Sequence, residues 1–254
     1  MKIQFASDLH LEVDSNFKSV MGGSIKPVGD ILLLAGDVFV MERESLDFQD
    51  FFDWCSSNFK HTFIVPGNHE FYGGADVAST LQGWEIALRD NVRCLNNKSE
   101  VIGDVEFFFT TLWATVEQEN EAIVTKYMPE CGLASFDGRP FAASDYTPAH
   151  ITCLNWLTAA LESSRAAKKV VVTHHCPVLV EDPRYESNGL SSAFVNPMED
   201  YVAACGASVW AFGHTHYNGA RGMKLGDTIL VTNQLGYVDK GVCDGFDETL
   251  ILEM

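Results

Sequence analysis

The sequence has few basic residues. Its 254 residues include 17 Lys and Arg against 35 Asp and Glu, which gives a formal net charge of −18. Proteins that bind nucleic acid rely on cationic side chains that displace counterions from the phosphate backbone, so we expect no nucleic-acid partner. A small phosphorylated ligand is not excluded, because metal ions bound in a pocket would dominate the local electric field.

The cysteines show no pattern of pairing. There are seven of them, at long spacings and without a C-x-x-C pair, which is typical of reduced thiols in a cytosolic protein. No basic and apolar leader opens the sequence, and no apolar run approaches the roughly 20 residues that span a bilayer. We therefore expect a cytoplasmic protein without a membrane segment.

Linkers are also missing. No Pro-, Gly- or Ser-rich stretch and no run of like charges divides the chain, and 46% hydrophobic with 20% charged residues is typical of a globular protein. A chain of this length is able to bury one large core. We predict a single domain over residues 1–254, and the sequence leaves the oligomeric state open.

Short apolar runs alternate with segments of helical period. The apolar runs predict eight strands: Ile3–Ala6, Ile31–Ala35, Phe63–Val65, Val105–Thr110, Val170–Thr173, Val209–Phe212, Ile229–Thr232 and Leu250–Leu252. The helical spacing predicts four helices: Glu42–Phe59, Asp76–Arg89, Thr147–Lys168 with Thr147 as its N-cap, and Pro197–Cys205. Near-continuous hydrophobicity in several strands indicates sheets covered on both faces, so the predicted class is α/β.

Polar motifs follow five of the predicted strands. They are D-L-H at Asp8–His10, G-D at Gly36–Asp37, G-N-H-E at Gly67–Glu70, H-H at His174–His175 and G-H-T-H at Gly213–His216. The carboxyl ends of strands are where open α/β sheets place their ligands. Six of the eight histidines fall in these motifs, and the D-x-H and H-x-H spacings would direct both side chains to one side of an extended segment. Each motif alone is compatible with a turn or a pair of surface histidines, but that coincidence would have to recur at five strand ends.

Carboxylate, imidazole and amide groups together form a ligand set suited to Mn, Fe, Zn or Co rather than to an all-oxygen Mg or Ca site. The motif order D-x-H, G-D, G-N-H-E, H, G-H-T-H resembles the calcineurin-like metallophosphoesterase superfamily, and the resemblance extends from Asp8 to His216. It implies a four-layer α/β/β/α sandwich with two mixed β-sheets. It also implies two divalent metal ions, with manganese among the candidates, and hydrolysis of a phosphate ester by a hydroxide held between them.

The resemblance assigns roles to individual residues. It implies that Asp8, His10 and His216 hold one ion, that Asn68, His174 and His214 hold the other, and that Asp37 bridges the two. His69 would not be a ligand; it would face the substrate and protonate the leaving oxygen. Glu70 is interpreted as a local hydrogen-bond acceptor.

The chain departs from the protein serine/threonine phosphatases of that superfamily, which continue the second motif as G-D-x-x-D-R. Here Val40 replaces the Asp that would support the catalytic histidine, and Met41 replaces the phosphate-binding Arg. Arg184 is therefore a candidate for binding the substrate phosphate, with His175 and Asn218 as further candidates. The leading hypothesis is a hydrolase of a small phosphomonoester or phosphodiester; the alternatives are a cyclic-nucleotide phosphodiesterase, a nuclease and a non-catalytic scaffold.

Overall fold

A computed structural model describes residues 1–41, 48–180, 182–184, 188–242 and 244–254 of the chain. Its strands are β1 Lys2–Ala6, β2 Ile31–Leu34, β3 His61–Ile64, β4 Trp84–Arg89, β5 Val92–Asn96, β6 Lys98–Ile102, β7 Val105–Thr110, β8 Ser135–Phe136, β9 Arg139–Pro140, β10 Lys168–Thr173, β11 Val209–Phe212, β12 Lys224–Leu225, β13 Thr228–Thr232 and β14 Ile251–Glu253. Its α-helices are α1 Asp14–Ser19, α2 Gln49–Asn58, α3 Val77–Thr80, α4 Glu121–Tyr127, α5 Glu130–Leu133, α6 Tyr146–Ser163 and α7 Glu199–Ala204.

Two six-stranded sheets form the centre of the fold. The first has the strand order β14-β1-β2-β3-β5-β4 and the second the order β12-β13-β11-β10-β7-β6. Within each, four neighbouring strands run parallel: β1, β2, β3 and β5 in one sheet, and β7, β10, β11 and β13 in the other. Antiparallel strands complete both edges of each sheet, so both sheets are mixed, as predicted.

Three apolar layers separate the sheets and helices. Phe107 and Phe109 of β7 point into the layer between the two sheets, whereas Phe108 points to the opposite face and packs with Leu157 of α6. On the far side of the first sheet, Phe52 of α2 packs in a third layer. Side chains alternate across a strand, so strands that are apolar at every position require cover on both faces. The predicted α/β/β/α sandwich is confirmed.

All eight predicted strands are present, with ends shifted by at most a few residues. The predicted helix Glu42–Phe59 is confirmed over α2, while residues 42–47 lie outside the described part of the chain. The helix over Asp76–Arg89 is wrong: α3 ends at Thr80, and β4 then pairs antiparallel with β5. Gly83, with φ of 85°, separates the two elements. Glu, Ala, Leu and Arg in this segment favour a helix locally, and pairing with a neighbouring strand overrides that preference.

The predicted N-cap of the longest helix is also wrong. α6 begins at Tyr146, and Asp145 is its N-cap residue. The hydroxyl of Thr147 donates instead to the backbone oxygen of Val116, 3.1 Å away, and accepts a hydrogen bond from its N–H, 3.0 Å away. Thr147 therefore links α6 by hydrogen bonds to the segment that follows β7, and it does not cap the helix.

A single residue joins the two sheets on one side. β5 belongs to the first sheet and β6 to the second, and only Asn97, with φ of 50°, lies between them. Asn97 is buried; its amide donates to the oxygen of Leu81 at 2.8 Å and its carbonyl accepts from the hydroxyl of Thr110 at 2.6 Å. Asparagine tolerates the left-handed conformation, and its side chain forms hydrogen bonds with nearby groups. The connection between β5 and β6 requires both properties.

Candidate metal centre

The five polar motifs meet where the parallel strands of both sheets end. Asp8, His10, Asp37 and Asn68 follow strands of the first sheet, and His174, His214 and His216 follow strands of the second. Five of these residues have left-handed φ angles between 46° and 73°: Asp8, His10, Asp37, His214 and His216. The prediction that D-x-H and H-x-H are extended segments is therefore wrong, because the chain turns sharply at both members of each pair. Such conformations cost about 1–3 kcal/mol each and cluster at functional sites.

The first group of side chains surrounds the end of β1. Ligand-type atoms of Asp8, His10, Asp37 and His216 all lie within 4.8 Å of one another. The Nε2 atoms of His10 and His216 are 3.0 Å apart. Nε2 of His216 is 3.4 Å from Oδ1 of Asp8, and Nε2 of His10 is 3.9 Å from Oδ2 of Asp37.

The second group lies beside the first and shares Asp37. Ligand-type atoms of Asp37, His174 and His214 lie within 4.8 Å of one another. Nε2 of His174 is 3.0 Å from Oδ1 of Asn68, 3.1 Å from Nδ1 of His214 and 3.3 Å from Oδ1 of Asp37. Asp37 therefore presents one carboxylate oxygen to each group, a geometry that suits a ligand placed between two ions.

Most of these side chains direct their hydrogen atoms away from the centre. In four of them the second polar atom donates to an acceptor outside the two groups: His10 Nδ1 to Glu12 at 3.1 Å, His174 Nδ1 to the oxygen of Ala35 at 2.8 Å, His214 Nε2 to the oxygen of Ala193 at 3.3 Å, and Asn68 Nδ2 to the hydroxyl of Tyr72 at 2.8 Å. A neutral imidazole has one N–H and one nitrogen with a lone pair. The atoms of these four side chains that face the centre therefore carry lone pairs rather than hydrogens. Converging lone pairs repel unless a cation lies between them, and outer hydrogen bonds of this kind orient metal ligands. The residues fit two metal ions.

Burial sets the protonation of the centre. It lowers the pKa of His10 and His174 to about 4 and that of His214 well below the usual value, so all three are neutral and able to bind metal at neutral pH. Burial raises the pKa of Asp8, but its hydrogen bond with His216 and the nearby histidines lower it to about 2. Burial raises the pKa of Asp37 well above its usual value, and bound cations would offset that cost of ionisation.

Close packing of the backbone makes two glycines necessary. A Cβ at Gly36, whose φ is 86°, would collide with the ring of His174, and a Cβ at Gly67 would collide with the carboxylate of Asp37. Glycine at these two positions therefore lets the backbone pass close to His174 and Asp37.

Glu70 joins the loops that follow β2 and β3. Its carboxylate is fully buried and accepts four backbone N–H groups: Oε2 from Asp37 at 3.0 Å and Gly67 at 2.7 Å, and Oε1 from Val38 at 2.7 Å and Phe39 at 3.2 Å. Burial raises the pKa of Glu70 to about 7, against the lowering effect of these bonds. The interpretation of Glu70 as a local hydrogen-bond acceptor is confirmed.

A buried carboxylate that the sequence analysis missed orients Asn68. The hydroxyl of Tyr72 accepts from the Asn68 amide nitrogen and donates to Oε2 of Glu130 at 2.9 Å. The hydroxyl of Tyr146 donates to the other oxygen of Glu130, which is fully buried in α5. These contacts turn the Asn68 amide so that its oxygen, not its nitrogen, faces His174. No motif marks Glu130, because its importance comes only from contacts distant in sequence.

His69 lies at the open side of the centre, with 15% of its side chain exposed. Its backbone N–H donates to Oδ1 of Asp37 at 2.9 Å, and its Nδ1 donates to Oε1 of Glu12 at 2.7 Å. Burial lowers the pKa of His69, but the charges of Asp37 and Glu12 raise it to about 9. Val40, at the position of the missing Asp, is buried and apolar. Glu12, which sequence analysis did not select, is thus the carboxylate bound to His69.

The three candidate substrate-binding residues lie in different settings. Arg184 donates to the backbone oxygen of His216 at 2.6 Å and pairs with Asp182, so it lies beside the first group. His175 is fully buried between His214 and Trp113, with no surface that a substrate is able to contact in this structure. Asn218 binds the backbone of Gln234 through its amide and carbonyl, at 3.1 and 2.8 Å, which stabilises the loop after His216. Substrate binding by any of the three stays a prediction.

Comparison with known proteins agrees with this geometry. The family model described as calcineurin-like phosphoesterase matches residues 1–218. An uncharacterised protein of Acanthamoeba polyphaga mimivirus is 25% identical over 260 residues, which cover 92% of this chain and 91% of that protein. The crystal structure of a phosphopantetheinyl hydrolase from Mycobacterium tuberculosis superposes with a TM-score of 0.69 over 99% of this chain and 95% of that one, at 17% identity. At that identity the likeness shows a shared fold.

The family match covers every strand end that carries the polar motifs, from Asp8 to His216. Within the described residues, the same strand ends bring together a buried cluster of histidines and aspartates that could hold metal ions. Sequence and geometry therefore agree on one conclusion: the chain belongs to the calcineurin-like phosphoesterase family and is a metal-dependent phosphoester hydrolase.

Proposed function

We propose that the chain hydrolyses a small phosphomonoester or phosphodiester with a water held between two divalent cations. Asp8, His10 and His216 would hold one ion. Asn68, His174 and His214 would hold the other, and Asp37 would contribute one oxygen to each. This proposal depends on one observation. Side chains that follow strands of both sheets direct their lone pairs to two adjacent groups of ligand-type atoms.

The ions, when bound, would lower the pKa of a water between them, orient it and neutralise charge on the phosphoryl oxygens. The protein supplies the remaining requirements. Glu70 and Glu130 fix the loops and the amide that present the ligands. His69, the partly exposed imidazole beside the centre, would donate a proton to the leaving oxygen from its Nε2 atom, since Nδ1 is bound to Glu12.

The mixture of imidazole, carboxylate and amide ligands favours Mn, Fe, Zn or Co. Of these, manganese is the candidate that we would test first. The borderline ligand set excludes none of the four, so metal identity has to be measured on protein purified without added metal.

The substrate is proposed by class. The net charge of −18 disfavours long nucleic acids, which places a nuclease below a hydrolase of small esters. A cyclic nucleotide is itself a small diester and stays among the candidate substrates. The Mycobacterium tuberculosis neighbour is a phosphopantetheinyl hydrolase, and a phosphopantetheinyl diester therefore belongs among the substrates to be tested.

The location and domain structure are also proposals. Six cysteines among the described residues are free, which supports a reducing compartment such as the cytoplasm. Among the residues that the structure describes, no helix combines the length and apolar character needed to cross a membrane. A single domain stays a prediction.

The test uses chelated protein reloaded with Mn, Zn, Fe, Co or Mg. Hydrolysis of bis(p-nitrophenyl) phosphate and p-nitrophenyl phosphate is measured together with metal content, and the preferred ester separates diesterase from monoesterase. We expect about two ions per chain and metal-dependent turnover. The variant His174→Gln should lose an ion and activity. The control is His61→Gln, which should lose neither, because His61 lies at the start of β3 and the centre lies beyond the end of that strand. Absence of specific metal binding would overturn the proposal in favour of a scaffold.

A further inference from the structure

Glu12 contacts two histidines of the centre with a single oxygen. Its Oε1 atom lies 2.7 Å from Nδ1 of His69 and 3.1 Å from Nδ1 of His10. The carboxylate is largely buried, with 13% of the side chain exposed. Its other oxygen, Oε2, has no hydrogen-bond partner among the described residues, so the two imidazoles are the polar contacts of this group within that part of the chain.

These contacts place a hydrogen on Nδ1 of both rings, because an ionised carboxylate only accepts hydrogen bonds. Nε2 of His10 is then free to bind a metal ion, and Nε2 of His69 is free to carry the proton that the ring would donate. Nε2 of His10 then faces His216 at 3.0 Å, within the first ligand group. Nε2 of His69 lies 3.9 Å from Oδ2 of Asp37, on the side of the centre.

The position of Glu12 on the chain explains how it reaches both rings. It follows His10 by two residues in the loop after β1, whereas His69 comes from the loop after β3. The two rings meet edge to face, with centroids 4.4 Å apart. The Glu12 carboxylate lies beside this pair and contacts both rings. Val40, where related phosphatases carry an Asp, offers no acceptor, so the carboxylate comes from a different strand end.

We propose that Glu12 is the positioning residue for His69: it holds Nδ1 of the ring and so directs Nε2 toward the leaving oxygen. This inference rests on the proposed phosphoester hydrolysis with His69 as proton donor. Glu12 itself would not touch the substrate. Its contact with His10 makes the same carboxylate an outer partner of the first ion.

The same three side chains have a competing interpretation. Ligand-type atoms of His10, Glu12 and His69 lie within 4.8 Å of one another, a spacing that would also suit an additional ion. A shared hydrogen-bond acceptor explains the 2.7 and 3.1 Å distances without such an ion. Metal content at saturating Mn distinguishes the two interpretations, because an additional ion would give three ions per chain in the parent protein, whereas a hydrogen-bond acceptor predicts about two.

The experiment compares Glu12→Gln with the parent protein loaded with Mn, using two diesters that differ in leaving group. Glutamine has the same shape and removes the charge. For an alkyl ester, whose leaving oxygen needs a proton, kcat should fall about 10²–10⁴-fold with little change in KM, the usual contribution of general acid catalysis. For bis(p-nitrophenyl) phosphate, whose leaving group needs no proton, the fall should be less than about tenfold.

The double variant Glu12→Gln with His69→Ala tests whether the two residues act as a unit. At saturating Mn, its kcat for the alkyl ester should equal that of His69→Ala alone, because Glu12 would have no proton donor left to position. Glu85→Gln, at the edge strand β4, is the matched control and should leave both rates unchanged.

Three results would overturn the inference: equal losses for the two esters, a further loss in the double variant, or a third ion in the parent protein that Glu12→Gln lacks. In each case metal-dependent turnover by the parent protein would still support the proposed function. Absence of turnover in the parent with every metal would count against the proposed function, and with it against a role for Glu12 in catalysis.

Discussion

Replacing Glu70 with glutamine should destabilise the protein and weaken its metal centre together. The carboxylate accepts four backbone N–H groups, two on each oxygen. Glutamine retains one oxygen, so two of the N–H groups would face an NH₂ group that is unable to accept. Each buried donor without a partner costs about 1–3 kcal/mol, which gives a loss of about 2–6 kcal/mol in the free energy of unfolding.

That loss is large beside the 5–15 kcal/mol stability of typical proteins. For a chain of this size it corresponds to a fall in Tm of about 5–20 °C. The affinity for both ions should fall too, because the four N–H donors include those of Asp37, a proposed ligand, and of Gly67, which precedes the proposed ligand Asn68. Thermal unfolding followed by circular dichroism, with and without metal, measures the first effect, and metal titration measures the second.

Glu106→Gln is the matched control. Glu106 accepts from the hydroxyls of Ser99 and Ser164 at 2.9 and 2.6 Å. A hydroxyl is able to rotate and to accept a hydrogen bond from the new NH₂ group, so this variant should remain near the parent Tm. If Glu70→Gln unfolded at the same temperature as the control and bound two ions with parental affinity, the reasoning about the four N–H groups would be refuted.

Three further variants test the centre. His69→Ala should keep both ions but lose about 10²–10⁴-fold in kcat on esters with poor leaving groups; unchanged turnover on an alkyl ester would remove His69 from the mechanism. Asp37→Ala should weaken both ions together in a metal titration, since its two oxygens face different groups, and normal affinity for two ions would contradict a bridging role. Arg184→Ala should chiefly raise KM, because the guanidinium lies beside His216; steady-state kinetics with no change would remove Arg184 as a phosphate-binding candidate.

Most of the centre was predictable because its residues follow apolar strands directly. Each of the seven candidate ligands lies within four residues of the end of a strand. These strands are predicted by their hydrophobicity, so the positions after them are predicted as well. What the sequence did not reveal are the groups that act through long-range contacts: Glu12 and Glu130 reach residues 57 and 58 positions away. In isolation, each resembles an ordinary acidic surface residue.

The errors in the fold have a similar cause. The segment from Trp84 to Arg89 is rich in residues that favour helices, and only its neighbour β5 makes it a strand. β5 and β6 themselves escaped prediction because polar residues interrupt both. Left-handed φ angles at Asp8 and His216 also lay beyond prediction, since a spacing of two residues does not distinguish an extended segment from a pair of tight turns.

The one-residue crossing at Asn97 has a consequence for the centre. Next to it, the side-chain oxygen of Asn96 accepts from the backbone N–H of Thr111 at 2.9 Å, and the hydroxyl of Thr111 donates to the backbone oxygen of Pro66 at 2.8 Å. Pro66 immediately precedes the Gly67–Asn68 turn. The β5–β6 connection and the loop that carries the proposed ligand Asn68 therefore share one buried polar network. Sliding of one sheet past the other would have to break these bonds. The hydrogen bonds that link the two halves of the proposed ligand set therefore lie inside the sandwich, between the ends of the strands themselves.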